Sequence, residues 1–151
     1  MNDQELALKL LIVLSKSCAS VAKVAETDIK RYGLNITEFA VLELLYHKGD
    51  IPIQKLASKM ILASGSMTYV VDKLLSKGFI TKETCEKDRR VTYACISPRG
   101  KEKIATVFPS HQLAIAELFT HLTASQKEAL IDTLKIIGQT AQDIFQDKKD
   151  A

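Results

Sequence analysis

The run CEKDRR, from Cys85 to Arg90, places a thiol, two acids and three bases, two of them adjacent guanidinium groups, within six residues. Lys82, Lys87, Arg89 and Arg90 would lower the Cys85 thiol pKa and raise its reactivity toward electrophiles, while Glu83, Glu86 and Asp88 oppose them. Cys85 is therefore a candidate redox or electrophile sensor, the alternative being a partly exposed strand residue. Arg89 and Arg90 suit a different partner, because a narrow, negative DNA minor groove attracts guanidinium groups. Asp88 cannot contact phosphate; its expected role is to orient an arginine through a bidentate pair. Upstream, Ser64, Ser66, Thr68, Tyr69 and Lys73 offer hydroxyls and one cation that can bond base edges or phosphates.

Other reactive groups are scattered. Cys18 lies among Ala19, Val21 and Ala22 and reads as a small core residue, with thiol sensing as its second reading. Cys95 falls in a β-rich segment and should pack. His47, His111 and His121 have no ligand spacing, so neither zinc nor any other metal is expected. There is no nucleophile motif, phosphate loop or glycine fingerprint, which argues against an enzyme and against a cofactor.

The groups around Cys85 need elements to position them. Met67, Val70, Val71 and Leu74 follow helical spacing and define a core face, leaving Ser66, Thr68, Tyr69 and Lys73 on the opposite side. Ser64 is placed to cap that helix and Gly78 to stop it. A shorter helix starts near Ile53. Phe79–Cys85 and Val91–Ser97 read as strands of a hairpin whose turn is the charged run, and Ile51 to Ile53 as a third strand. The order is helix-turn-helix followed by a wing, with the second helix suited to the major groove.

Charge supports that placement. The net charge is only +3, yet residues 51–103 hold eleven basic and five acidic side chains, against six and seven before them and four and six after. A basic stripe over the helix-turn-helix and wing indicates nucleic acid. No apolar run is long enough to span a bilayer and Met1 is not followed by a signal peptide, so a cytoplasmic protein without membrane association is expected. Three cysteines without a pairing pattern fit a reducing compartment.

The flanks read as helices. Residues 5–31 carry Leu6, Leu10, Val13, Leu14, Val21 and Val24 on one stripe and Leu8, Leu11 and Ile12 on another, more apolar surface than one neighbouring helix covers. Asn35 and Glu38 form a capping box before a helix over about Thr37 to His47 that is apolar nearly all round. Ser97-Pro98 starts a helix expected to reach about His121, with Pro109 kinking or interrupting it. Thr123 and Gln126 cap a last helix striped by Leu130, Leu134, Ile137, Ala141 and Ile144, and the tail from Gln146 should fray. The expected architecture is mostly α (α+β): a single domain with a winged helix-turn-helix lobe at 34–98 and dimerisation helices at 1–33 and 99–151. A homodimer would then read a pseudo-palindromic duplex.

The run SGSMTYVVDKLLSKGFI, the D-x-R wing at Asp88 and Arg90, and the Ser97–Gly100 helix start resemble the MarR family of bacterial winged-helix regulators over nearly the whole chain. GLNITEFAVLELLYHKGD and DRRVTYA resemble most the subgroup that represses quinone- and methylhydroquinone-detoxification genes. This resemblance implies a dimeric DNA-binding repressor released by a phenolic or quinone-like effector. It also implies a ligand cleft between the dimerisation helices and the winged lobe, for which Tyr32, Phe39, Tyr46, His47 and Phe108 are the aromatic candidates. Two rivals stay open: a winged-helix protein-interaction module that does not bind DNA, and a thiol-based redox protein using Cys85 or Cys18.

Overall fold

The computed structural model describes residues 2–60 and 66–149. Its elements are α1 (Asp3–Lys30), α2 (Ile36–Lys48), β1 (Ile51–Pro52), α3 (Ile53–Lys59), α4 (Met67–Ser76), β2 (Ile80–Thr84), β3 (Thr92–Ile96), α5 (Pro98–Leu118) and α6 (Ala124–Lys149). The strands form one antiparallel sheet in the order β1-β3-β2, with Ile51 opposite Ala94 and Lys82 opposite the same residue from the other side. The chain divides into two compact units, residues 1–115 and 116–151.

Local chemistry fixes the helix boundaries. Asn2 and Glu5 cap α1 reciprocally, as Asn35 and Glu38 cap α2. The Thr123 hydroxyl accepts from Gln126 N–H at 3.2 Å, and the Gln126 amide oxygen accepts from Thr123 N–H at 2.9 Å. Each box satisfies two amide groups that the helix itself leaves unpaired. At the end of α4 the chain turns at Gly78, whose φ of +70° is costly for a residue with a Cβ. Phe79 N–H bonds back to Leu74 O at 3.0 Å, closing the turn.

The core of the first unit collects Ile29 from α1, Phe39, Val41, Leu42 and Leu45 from α2, Leu56 from α3, Val70, Val71 and Leu74 from α4, Ala94 from β3, and Ile104 and Val107 from α5. Fully burying each larger apolar side chain stabilises by ~1.5–3 kcal/mol, which roots the two motif helices, α3 and α4, in one core with α2. Met67 is only partly buried, because it opens the first turn of α4 at the rim of this core.

Two expectations change and one narrows. Pro109, expected to kink or interrupt α5, lies inside it without ending it. The helix α6 continues through Lys149 where fraying was expected. Cys18 is exposed instead of packed. Tyr46, a cleft candidate, is 43% exposed near the end of α2.

Candidate nucleic-acid interface

The α4 helix presents two opposite faces. Val70, Val71 and Leu74 are buried, while Ser66, Thr68, Tyr69, Asp72 and Lys73 point outward. Ser66 is the N-cap residue, exposed, and makes no side-chain capping bond among the described residues. Ser64, the cap expected from sequence, lies outside the described residues. Lys73 Nζ sits 5.4 Å from the Tyr69 ring centroid, a one-turn cation–π pair that holds both side chains along the outer face. Asp72 is engaged by Lys82 of β2 at 3.4 Å, which ties α4 to the wing and offsets the one acid on this face.

The wing is a closed hairpin. Cys85 N–H donates to Val91 O and Val91 N–H donates to Asp88 O, each at 2.9 Å. Asp88 Oδ1 accepts from Arg90 Nε at 3.1 Å and from Arg90 N–H at 3.1 Å, and Oδ2 accepts from Arg90 Nη2 at 3.3 Å. The Arg90 guanidinium, with its backbone amide second, holds the Asp88 carboxyl below its ordinary pKa. Arg90 is 90% exposed despite this fork-to-fork pair, and Arg89 beside it is exposed as well. From α3, Gln54 Nε2 reaches Arg90 O at 3.4 Å. The wing tip is thus gripped through side chain, amide and carbonyl of one residue.

The three thiols differ sharply. Cys85 is half-buried at the root of the wing turn and Cys18 is exposed on α1. Cys95 is buried, and its pKa is pushed up to about 11 by burial first and then by the carboxylates of Asp50 and Glu83. A thiol so protonated is a poor nucleophile at neutral pH. Among the described residues no cluster of three or more His, Cys, Asp or Glu could hold a metal ion, and no helix is long and apolar enough to cross a membrane.

The aromatic cleft candidates fall into two edge-to-face contacts that fasten α5 to α2. Phe39 meets His111 at 4.8 Å between centroids, and His47 meets Phe108 at 5.4 Å. Tyr46 packs its edge on His47, Tyr32 is half-buried against the core, and Phe39 is almost fully buried. A cleft of about 320 Å³ opens between α2 and the end of α3, lined by Ala40, Glu43, Leu44, His47, Lys48, Lys59 and Met60. Of the five candidates only His47 lines it.

Three positioning contacts were not anticipated: Gln54 to the wing, Lys77 to Glu38, and His111 to Asp28. Glu38 carries a sequence signal through its capping box. The other partners lie tens of residues away along the chain, where spacing has no reach.

An outward helix face of hydroxyls and a cation, beside a hairpin tipped by an oriented arginine, defines a winged helix-turn-helix DNA-binding transcriptional regulator. Residues 34–92 match the MarR family pattern. Over 138 residues the chain is 45% identical to the HTH-type transcriptional regulator MhqR of Bacillus subtilis (strain 168), covering 91% of this chain and 95% of that relative. The chain belongs to the MarR family. Two solved structures share the fold at low identity. Sco3205, a MarR family regulator from Streptomyces coelicolor in complex with DNA, has a TM-score of 0.80 at 18% identity, covering 93% of this chain and 89% of that one. The organohalide-sensing regulator RdhR, in its 2,4-dichlorophenol-bound form, has a TM-score of 0.78 at 17% identity, covering 93% and 85%.

Proposed function

We propose that this protein is a homodimeric cytoplasmic repressor that holds a pseudo-palindromic operator through two copies of α4 and the wing. A phenolic or quinone-like compound, bound or added to a thiol, releases it. The observation that carries the reading is the pairing of the outward Thr68, Tyr69 and Lys73 face with the Asp88-oriented Arg90. On this reading Ser64, Ser66, Thr68, Tyr69 and Lys73 engage the major groove, and Arg89 and Arg90 the adjacent minor groove.

Apolar exposure supports the dimer. Leu6, Leu8, Leu10, Leu11, Ile12 and Val13 of α1 are each between 48% and 64% exposed, and α6 exposes Ile131, Ile136, Ile144 and Phe145. Such a surface matches a subunit interface. The single winged-helix domain proposed from sequence then spans both compact units, with residues 1–33 and 99–151 supplying the interface.

The bound dichlorophenol of RdhR is the precedent for a phenolic effector. The cleft beside His47 matches that chemistry in kind, with Leu44 and Met60 for a ring and Lys48 and Lys59 for an acidic hydroxyl. Displacing each recognition helix by a few Å would break simultaneous engagement of two half-sites.

Fluorescence anisotropy with the duplex immediately upstream of the gene, at several salt concentrations, tests the reading. Tight, salt-sensitive binding lost on adding methylhydroquinone or benzoquinone supports it. Survival of that response in Cys85→Ser and Cys18→Ser assigns it to a pocket. Absence of binding moves the weight to an interaction module.

A further inference from the structure

Lys77, the residue that closes the C-terminal end of α4, sends its ammonium back across the molecule. Its Nζ donates to Glu38 Oε2 at 2.7 Å and to Gly33 O at 3.1 Å. Glu38 is only 4% exposed, and the same Oε2 accepts from Asn35 N–H at 3.1 Å in the α2 capping box. Gly33 is the positive-φ residue of the turn between α1 and α2. One ammonium therefore joins the recognition helix, the α1–α2 turn and the first turn of α2. Among the described residues it makes the one side-chain polar link between α4 and that junction. Lys77 is one-third exposed and lies at the far end of α4 from Thr68 and Tyr69, so it sits behind the reading face.

We infer that Lys77, through Glu38, is a positioning residue for operator binding. The inference rests on the DNA-reading role of α4 and wing proposed above. The ten-residue α4 is ~15 Å long, so pivoting it by about 10° about its C-terminal end moves its N-terminal residues by ~2.5 Å. That exceeds the tolerance of base-edge hydrogen bonds. Apolar packing of Val70, Val71 and Leu74 resists lifting of the helix, but apolar contact is non-directional and resists pivoting poorly. The charge-assisted bond to a buried, already oriented carboxylate supplies the missing direction and registers α4 against the first turn of α2, beside the α1–α2 turn.

The test compares wild type, Lys77→Met, Lys77→Arg, Glu38→Gln and the double variant Lys77→Met/Glu38→Gln. Each is titrated by anisotropy against the upstream duplex and a scrambled duplex of equal length, over a range of salt, with folding followed by circular dichroism. Lys77→Met and Glu38→Gln should each weaken upstream-duplex binding roughly ten-fold, with scrambled-duplex binding unchanged. The double variant should be no weaker than either single one, and Lys77→Arg should recover most of the affinity. The salt slope should match wild type in every variant. Three results overturn the inference: unchanged upstream affinity, a slope reduced by about one with equal losses on both duplexes (the mark of a direct phosphate contact), or failure of both single variants to fold. Wild type that ignores the upstream duplex while remaining folded refutes the DNA-reading role itself, a separate outcome.

Discussion

His111 Nδ1 lies 2.8 Å from Asp28 Oδ2, joining α5 to α1 under cover of the Phe39 ring. Both side chains are largely buried, and Arg31 gives Asp28 a second, looser partner at 3.6 Å. Replacing His111 by Phe keeps the ring but strands the carboxylate. We expect His111→Phe to lower unfolding free energy by ~2–4 kcal/mol, because a buried acid loses its main partner. Asp28→Asn, which keeps an acceptor, should cost about 1 kcal/mol or less. Urea unfolding followed by circular dichroism measures both, and equal stability of His111→Phe and wild type would show that the pair does not fasten α5 to α1.

That pair also shows where sequence reading ends. The helices, caps and wing were legible because they depend on neighbours: Asn35 with Glu38, Thr123 with Gln126, Met67 to Leu74 at helical spacing, and the two β-rich runs around CEKDRR. Asp88 and Arg90, two residues apart, belong to the same class. His111 with Asp28 and Lys77 with Glu38 are separated by 83 and 39 residues, and neither residue's type hints at its partner. Of the two outcomes open at Pro109, a kink or a break, the break does not occur, because loss of one amide donor does not oblige a helix to end when its flanks keep helical backbone. Cys18 misled because small neighbours mark a helix face for close packing without saying whether the partner is in the same chain.

At the wing, Arg90→Ala should weaken operator binding by ~1–3 kcal/mol with the fold intact. Asp88→Asn should weaken it less, since an amide can still accept from Arg90 N–H. Because the Asp88 pKa is lowered from 3.8, the pair is present above that value and lost only as pH falls through the still lower folded value. Operator affinity should therefore show no step from this pair between about pH 5 and 8. Anisotropy across that range checks the claim, and a step that vanishes in Asp88→Asn would contradict it.

The thiols should separate by rate. Cys18 and Cys85 have solvent access, whereas Cys95 is buried with its pKa near 11, so iodoacetamide at neutral pH should label the first two and spare the third. Peptide mapping after timed alkylation reads this directly. The raised pKa also sets a sign for stability. The folded state keeps the Cys95 proton after the unfolded chain, near 9.0, has released it, so stability should decline as pH rises from 9.0 toward about 11. Cys95→Ala should remove that part of the alkaline decline.

Gly100 tests the junction between wing and α5. A Cβ built there would collide with Phe79 O and stand 2.9 Å from Ile96 Cγ1, and the first of these is backbone that cannot swing aside. The same junction is drawn together by the Ser97 hydroxyl, which donates to Gly78 O at 2.7 Å and accepts from Gly100 N–H at 3.0 Å. Gly100→Ala should therefore destabilise by ~2–4 kcal/mol, through backbone displacement instead of lost helix propensity, which by itself would favour alanine. Gly78→Val should be damaging for a different reason, the positive φ of +70°. Thermal unfolding distinguishes the two when Gly78→Asn is added, because asparagine tolerates left-handed backbone and should restore stability at 78. At 100, where the obstacle is the Phe79 carbonyl, Gly100→Ser should be no better than Gly100→Ala, and stability near wild type in either would mean that the wing and α5 do not approach this closely.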